Sequence, residues 1–240
     1  MRWLIRKISL VLTILVVLLA AFIGYLAITT EKPRSTQGWD RLKDLPHPRG
    51  EFAAAFVGTP CAKREGCLTR GDQKIYVAGG LGGLGKAVRT VDVYDITEDT
   101  WTSAPQVPEA RHHVGAAGIG DVVYVSGGSK SATNWVPEKN FWALRPGATS
   151  WEKLPDLPEG RMAHQMVALG GKLYVIGGRG ATSNVLIFDP TTSIWSTGAQ
   201  MPAKRDHLAA AVQETKIFAI GGRDTGLTRR VDVYRSRMAV

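Results

Sequence analysis

Four short stretches decide the fold: IYVAGG at residues 75–80, VYVSGG at 123–128, LYVIGG at 173–178 and IFAIGG at 217–222. Each is an apolar run that ends in paired glycines. An aromatic stands three residues before the first glycine of each pair: Tyr76, Tyr124, Tyr174 and Phe218. The first glycines are spaced by 48, 50 and 44 residues. A fixed period of that size is the mark of a repeat architecture. Tryptophan recurs with the same period, at Trp39, Trp101, Trp151 and Trp195, and an arginine follows each by ten residues: Arg49, Arg111, Arg161 and Arg205. Pro46, Pro108, Pro158 and Pro202 precede those arginines by three residues. From arginine to first glycine is 16 residues in the last three repeats and 30 in the first. The first repeat therefore carries a 14-residue insertion, and both cysteines, Cys61 and Cys67, lie in it.

Each repeat reads as four short strands. The first is small and apolar, as in Val114 to Ile119, and turns tightly at Gly120-Asp121 or Gly170-Gly171. The second ends at the double glycine. The third alternates, as in Val91 to Tyr94, and the fourth begins at the tryptophan. Short strands with turn signals every ten or so residues mean an all-β chain. Four strands per period of this length mean a β-propeller blade.

The double glycine, the aromatic and the tryptophan in this order resemble the kelch repeat, over about residues 39–234. With its charge-free N-terminal segment the chain resembles exported, membrane-anchored bacterial members. The resemblance implies an all-β propeller of four kelch repeats with four-stranded antiparallel blades, at about 49–101, 111–151, 161–195 and 205–234. The chain enters the propeller in phase with a fourth strand, at Trp39, and leaves it after a third, at Tyr234. A strand over 39–45 could thus clasp the last blade and close a ring within 39–240. Kelch rings more often have six or seven blades, so a portion of a longer propeller is the competing reading.

Composition is ordinary for a globular chain, at 44% hydrophobic and 21% charged, and excludes disorder, collagen and a disulfide-stapled miniprotein. The net charge is +9, or +6 beyond the first 30 residues. No basic run of five occurs, which argues against a nucleic-acid partner. Ile8 to Ile28 holds 21 residues without a charge, after Arg2, Arg6 and Lys7. A helix of that length spans a bilayer core. Residues 1–30 are therefore expected to form an uncleaved signal anchor, a single transmembrane helix, with a cleaved signal as the other reading. The cations place the N-terminus in the cytoplasm and the propeller outside, in a periplasm or at a cell surface. Residues 31–38 are the linker. In that compartment Cys61 and Cys67 are expected to form a disulfide.

The loops after the fourth and second strands share one face. They gather Arg49, Arg111, Arg161 and Arg205 with Lys86, Arg89, Lys130, Lys139, Arg179, Arg223, Arg229 and Arg230. The four repeated arginines could ring a central channel and bind a carboxylate or phosphate. The other reading is structural, with the arginines holding loop carbonyls. His113, His164 and His207 follow their arginines by two or three residues. Three imidazoles on a channel could bind a metal, but their unequal offsets favour ordinary strand-start histidines, so no metal is expected. Trp135 is a candidate for stacking on a ligand, or for packing on Phe141. Gly80 to Lys86 imitates a phosphate loop, yet a strand follows it where such a loop needs a helix. No catalytic set and no cofactor can be placed. The expected function is a tethered binding or interaction module for an anionic ligand or a protein partner. By resemblance alone, a sialic-acid mutarotase acting on acidic sugars and a galactose-oxidase-like copper enzyme are the enzymatic alternatives.

Overall fold

The computed structural model describes residues 41–58, 73–133, 135–180 and 182–236. The expected transmembrane helix, the linker, Trp39 and the Cys61–Cys67 pair lie outside these residues. No helix among the described residues is long and apolar enough to cross a membrane.

The repeat becomes four antiparallel blades. Blade 1 is β1 (Ala53–Val57), β2 (Lys74–Ala78), β3 (Val91–Asp95) and β4 (Thr100–Ser103). Blade 2 is β5 (Gly115–Ile119), β6 (Val122–Ser126), β7 (Phe141–Leu144) and β8 (Glu152–Lys153). In blade 3 a two-residue pair, β9 (Arg161–Met162) with β12 (Arg179–Gly180), flanks β10 (Gln165–Leu169), β11 (Lys172–Ile176), β13 (Asn184–Asp189) and β14 (Ile194–Gln200). Among the described residues blade 4 comprises β15 (Ala209–Gln213), β16 (Lys216–Ile220) and β17 (Val231–Arg235). The inner strands β1, β5, β10 and β15 stand side by side in that order.

Local chemistry explains the register. Gly170 and Gly171 both have positive φ, 57° and 73°, the requirement of the tight hairpin between β10 and β11. The double glycines are needed for close approach. A side chain at Gly127 (φ +62°) would fall on the Arg161 carbonyl oxygen of the next blade. Gly83–Gly85 forms one 3-10 turn between β2 and β3, with Leu84 fully exposed and no helix after it. The resemblance to a phosphate loop ends there.

A hydrophobic cluster fills each of three junctions. Ala55, Val91, Val123, Trp142 and Trp151 join blades 1 and 2; Phe141, Leu173 and Phe188 join blades 2 and 3; Tyr174, Ile217 and Leu208 join blades 3 and 4. Phe141 meets Phe188 edge-on at 4.8 Å between centroids. The tryptophans fasten neighbours by one repeated bond. Trp101 Nε1 donates to Lys43 O, Trp151 Nε1 to Pro105 O and Trp195 Nε1 to Pro155 O, at 2.9, 2.7 and 2.9 Å. Each acceptor lies four residues past the preceding tryptophan. Trp151→Phe deletes the donor and shrinks a buried ring, so chemical denaturation should show a loss of more than about 1 kcal/mol.

Of the strand expected over 39–45 to clasp blade 4, residues 39 and 40 lie outside the described residues. Residues 41–45 carry no strand, and among the described residues β17 has no partner on its outer edge. Beside it runs a groove of about 930 Å³ lined by Val185, Ala199 and Tyr234 among others. By the repeat offsets, these three correspond to the residues that seat Trp195 one blade earlier: Phe141, Pro155 and Phe188. Phe56 on blade 1 and Ile220, Val231 and Val233 on blade 4 are exposed.

Candidate functional site

The loops leading into the inner strands place four equivalent arginines, and all four are buried. Arg111 and Arg161 are 0% exposed and Arg205 2%, and the Arg49 side chain is 1% exposed. Each guanidinium reaches back under its own blade. Arg49 donates to Val77 O at 2.8 Å and to Asp92 at 2.5 Å. Arg205 donates to Ala219 O at 2.9 Å and to Asp232 at 2.7 Å. Arg161 bonds Gly177 O and Asn184 O, both at 3.0 Å, and pairs with Glu159. Blade 2 carries Trp142 where blades 1 and 4 carry the aspartate. Arg111 accordingly lies over that ring at 5.6 Å and takes its acids from Glu109 (2.9 Å) and Glu138 (3.2 Å). Burial lowers the pKa of Arg161, with Glu159 opposing. These groups are spent on carbonyls and acids inside the blades. Arg49, Arg111, Arg161 and Arg205, expected as an anion-binding ring, are thus buried and turned toward partners of their own blades, the arrangement of the structural reading.

Two residues past each arginine the chain turns into the left-handed region: Glu51 (φ 52°), His113 (56°), Ala163 (51°) and His207 (52°). These residues form a chain of main-chain bonds from blade to blade. His113 N donates to Glu51 O at 2.8 Å, Ala163 N to His113 O at 2.9 Å, and His207 N to Ala163 O at 2.9 Å. Their side chains therefore converge on the axis. His113 Nε2 lies 3.0 Å from Glu51 Oε2 and 3.0 Å from His207 Nε2. Burial pushes the His113 imidazole down to about 4; Glu51 opposes this, while His112, His207 and Arg223 add to it. Asp206 Oδ1 holds His207 Nδ1 at 2.5 Å and accepts from Arg223 Nε at 2.9 Å. Burial works to raise the Asp206 pKa, but those two bonds prevail and hold it low.

The repeat pattern also appears in comparisons with known proteins. The KLHDC2/KLHL20/DRC7 Kelch-repeats domain matches residues 44–222. The chain belongs to the kelch-repeat family.

Among similar kelch proteins, Kelch-like protein 25 of Xenopus tropicalis is 30% identical over 204 residues, 77% of this chain and 31% of that protein. Kelch-like protein terF of Aspergillus terreus is 26% identical over 203 residues, 77% of this chain and 41% of that protein. An Arabidopsis F-box/kelch-repeat protein, At2g29600, is 38% identical over 82 residues, 32% of this chain and 20% of that protein. The chain thus spans less than half the length of these kelch relatives.

Of the three candidate histidines, the structure brings two together. His164, one residue further along its repeat, turns into the blade and is 2% exposed. Its Nε2 meets Ser126 Oγ at 2.9 Å, and Ser126 Oγ donates to Met166 Sδ at 3.7 Å. Burial, helped by Arg161, lowers its pKa to about 3. The unfolded chain takes up that proton near pH 6.5 and the folded chain does not, so stability present above 6.5 is lost as pH falls. At pH 5 the loss from His164 is about 2 kcal/mol. Denaturation midpoints of wild type and His164→Gln should diverge at pH 7 and draw together by pH 5.

Trp135 stands against His113 at 4.9 Å and His112 at 6.0 Å; Phe141 is in the core between blades 2 and 3. The Arg179 guanidinium covers the Trp135 ring at 5.8 Å. The two line a shallow depression of about 380 Å³ with Pro137, Gly160 and Gly180. Three other cations of this face are matched by acids: Lys130 by Glu109 at 2.8 Å, Arg223 by Asp206 and Arg230 by Asp232. Sequence reasoning missed Glu51, although it shares the offset of His113 and His207 from their arginines. It also missed Asp92 and Asp232, whose signal was an acid inside an apolar third strand.

Proposed function

We propose that this kelch propeller is a tethered docking platform that holds a protein partner, or an anionic ligand, at its axial mouth outside the cytoplasm. The observation that carries the reading is the Trp135–Arg179 pair beside the axial cluster. An amphipathic aromatic and an exposed guanidinium stacked on it, on a rigid ring, are the residue types that anchor interfaces. Kelch-like relatives point to protein partners generally. The tether rests on the charge-free Ile8 to Ile28 segment and the cations before it. Burial of the four arginines removes the support for an acidic-sugar enzyme.

A photo-crosslinking residue at Val136 or Arg179 tests the mouth, with Asp121 on the opposite face as control. Adducts with one defined species from the mouth positions alone are the expected result; equal labelling from Asp121 overturns it. The tether is tested in intact cells with a Cys61→Ser/Cys67→Ser chain carrying Arg223→Cys. A membrane-impermeant maleimide should label it without lysis, and labelling only after lysis would place the propeller inside.

A further inference from the structure

We infer that Glu51, His113 and His207 form a binding site for a divalent transition-metal cation of the zinc type at the propeller axis. Glu51 Oε2, His113 Nε2 and His207 Nε2 lie within 4.8 Å of one another, on loops from blades 1, 2 and 4. A tetrahedral zinc ion with bonds of ~2.0–2.1 Å to nitrogen separates its ligand atoms by ~3.3 Å. The two closest pairs here are at 3.0 Å, within a small adjustment of that spacing.

The hydrogen bonds around the cluster fix which nitrogen carries a proton. His112 Nε2 faces Ser131 O at 3.0 Å. A carbonyl only accepts, so His112 carries its hydrogen on Nε2 and its Nδ1 is a bare acceptor. His113 Nδ1 bonds that atom, so His113 carries its hydrogen on Nδ1 and its Nε2 is bare. On the other side Asp206 takes the Nδ1 hydrogen of His207, which leaves His207 Nε2 bare as well. Two imidazole lone pairs and a carboxylate oxygen thus face one another. Three acceptors at these separations repel unless a positive centre joins them. The Asp206 carboxylate behind His207, and behind His113 the His112 imidazole that the Ser131 carbonyl holds, orient the two rings as outer partners orient metal-binding histidines.

The surroundings leave room for a fourth ligand. Blade 3 contributes only the methyl of Ala163 at the equivalent position, and the Glu51 side chain is 47% exposed. Three protein ligands and an open position describe a site that keeps a water or takes a donor atom from a partner. One group competes: Arg223 Nη2 approaches His207 Nε2 at 3.2 Å. Its side chain is 46% exposed and is also held by Asp206, so it can swing out while keeping that partner.

The test is a titration of the tag-free, chelator-stripped full chain with zinc chloride by calorimetry, with magnesium as control. One saturable zinc per chain and no magnesium binding is expected. His207→Asn, which suits the left-handed backbone there, should abolish it. Glu51→Gln, at an exposed position, should weaken it at least tenfold, and Asp206→Asn, behind the ligand, about 10–100-fold. Arg223→Ala should tighten it, and Cys61→Ser/Cys67→Ser should leave it unchanged. Cobalt in place of zinc should give a visible absorption band that His207→Asn removes. Absence of saturable zinc binding, loss of binding in the cysteine variant, or full binding in both Glu51→Gln and His207→Asn would overturn the assignment.

Discussion

Arg161→Met is expected to lower the unfolding free energy by about 3–5 kcal/mol, the usual consequence of removing one partner from a buried ion pair. The side chain is fully buried. Its loss removes the guanidinium donor from Gly177 O and Asn184 O and leaves the Glu159 carboxylate with only the Thr182 hydroxyl, without its cation. In a chain of this size that is a fall in Tm of roughly 10 °C, measured by calorimetry or circular dichroism. Arg145→Met is the comparison. Arg145 pairs with Glu152 at 2.9 Å, but both side chains are about half exposed, at 58% and 48%, and a change of less than about 0.5 kcal/mol is expected there. Equal effects from the two substitutions would contradict the structural role given to the repeated arginine.

Gly127→Ala should be at least as damaging. Two effects add at this position. Left-handed backbone costs an L-residue about 1–2 kcal/mol. The new methyl would also overlap the Arg161 carbonyl oxygen, which accepts from Gly128 N at 2.8 Å. That oxygen is main chain and belongs to the next blade, so relief requires blades 2 and 3 to part. Gly147→Ala separates the two effects. Its φ is +72° but nothing lies within 4 Å of the new carbon, so only the backbone cost of about 1 kcal/mol remains. We expect Gly147→Ala to fold with a small loss, and Gly127→Ala to be recovered mostly unfolded or aggregated.

The blades were legible because their signals are local. Glycines that must turn left, an aromatic at a fixed distance and a tryptophan after the third strand each follow from one strand or one turn. The arginines were legible as a repeat but not in their role. What they touch is set by the third strand of the same blade, up to 43 residues away for Arg49 and Asp92. His113 and His207 were named, but their partner Glu51 was not. It looked like one more loop acid until the equal offset from Arg49 became a position in space. His164 shows the converse: one residue of extra offset turned a candidate mouth group into a core histidine. The expectation of a clasping strand drew on phase alone, and residues 41–45 carry none.

The links that run from Glu51 to His113, Ala163 and His207 are made wholly of main-chain atoms. These links therefore do not depend on which side chains stand at the four places. What the backbone asks of them is to tolerate a left-handed φ, which asparagine, aspartate, histidine and glycine do best. The axis thus behaves like a four-letter field, one letter from each blade, that can be rewritten without redesigning the scaffold. Here it reads Glu, His, Ala, His. Asparagine at Glu51 and His207, the less buried of the four, should keep these links and change what the axis holds.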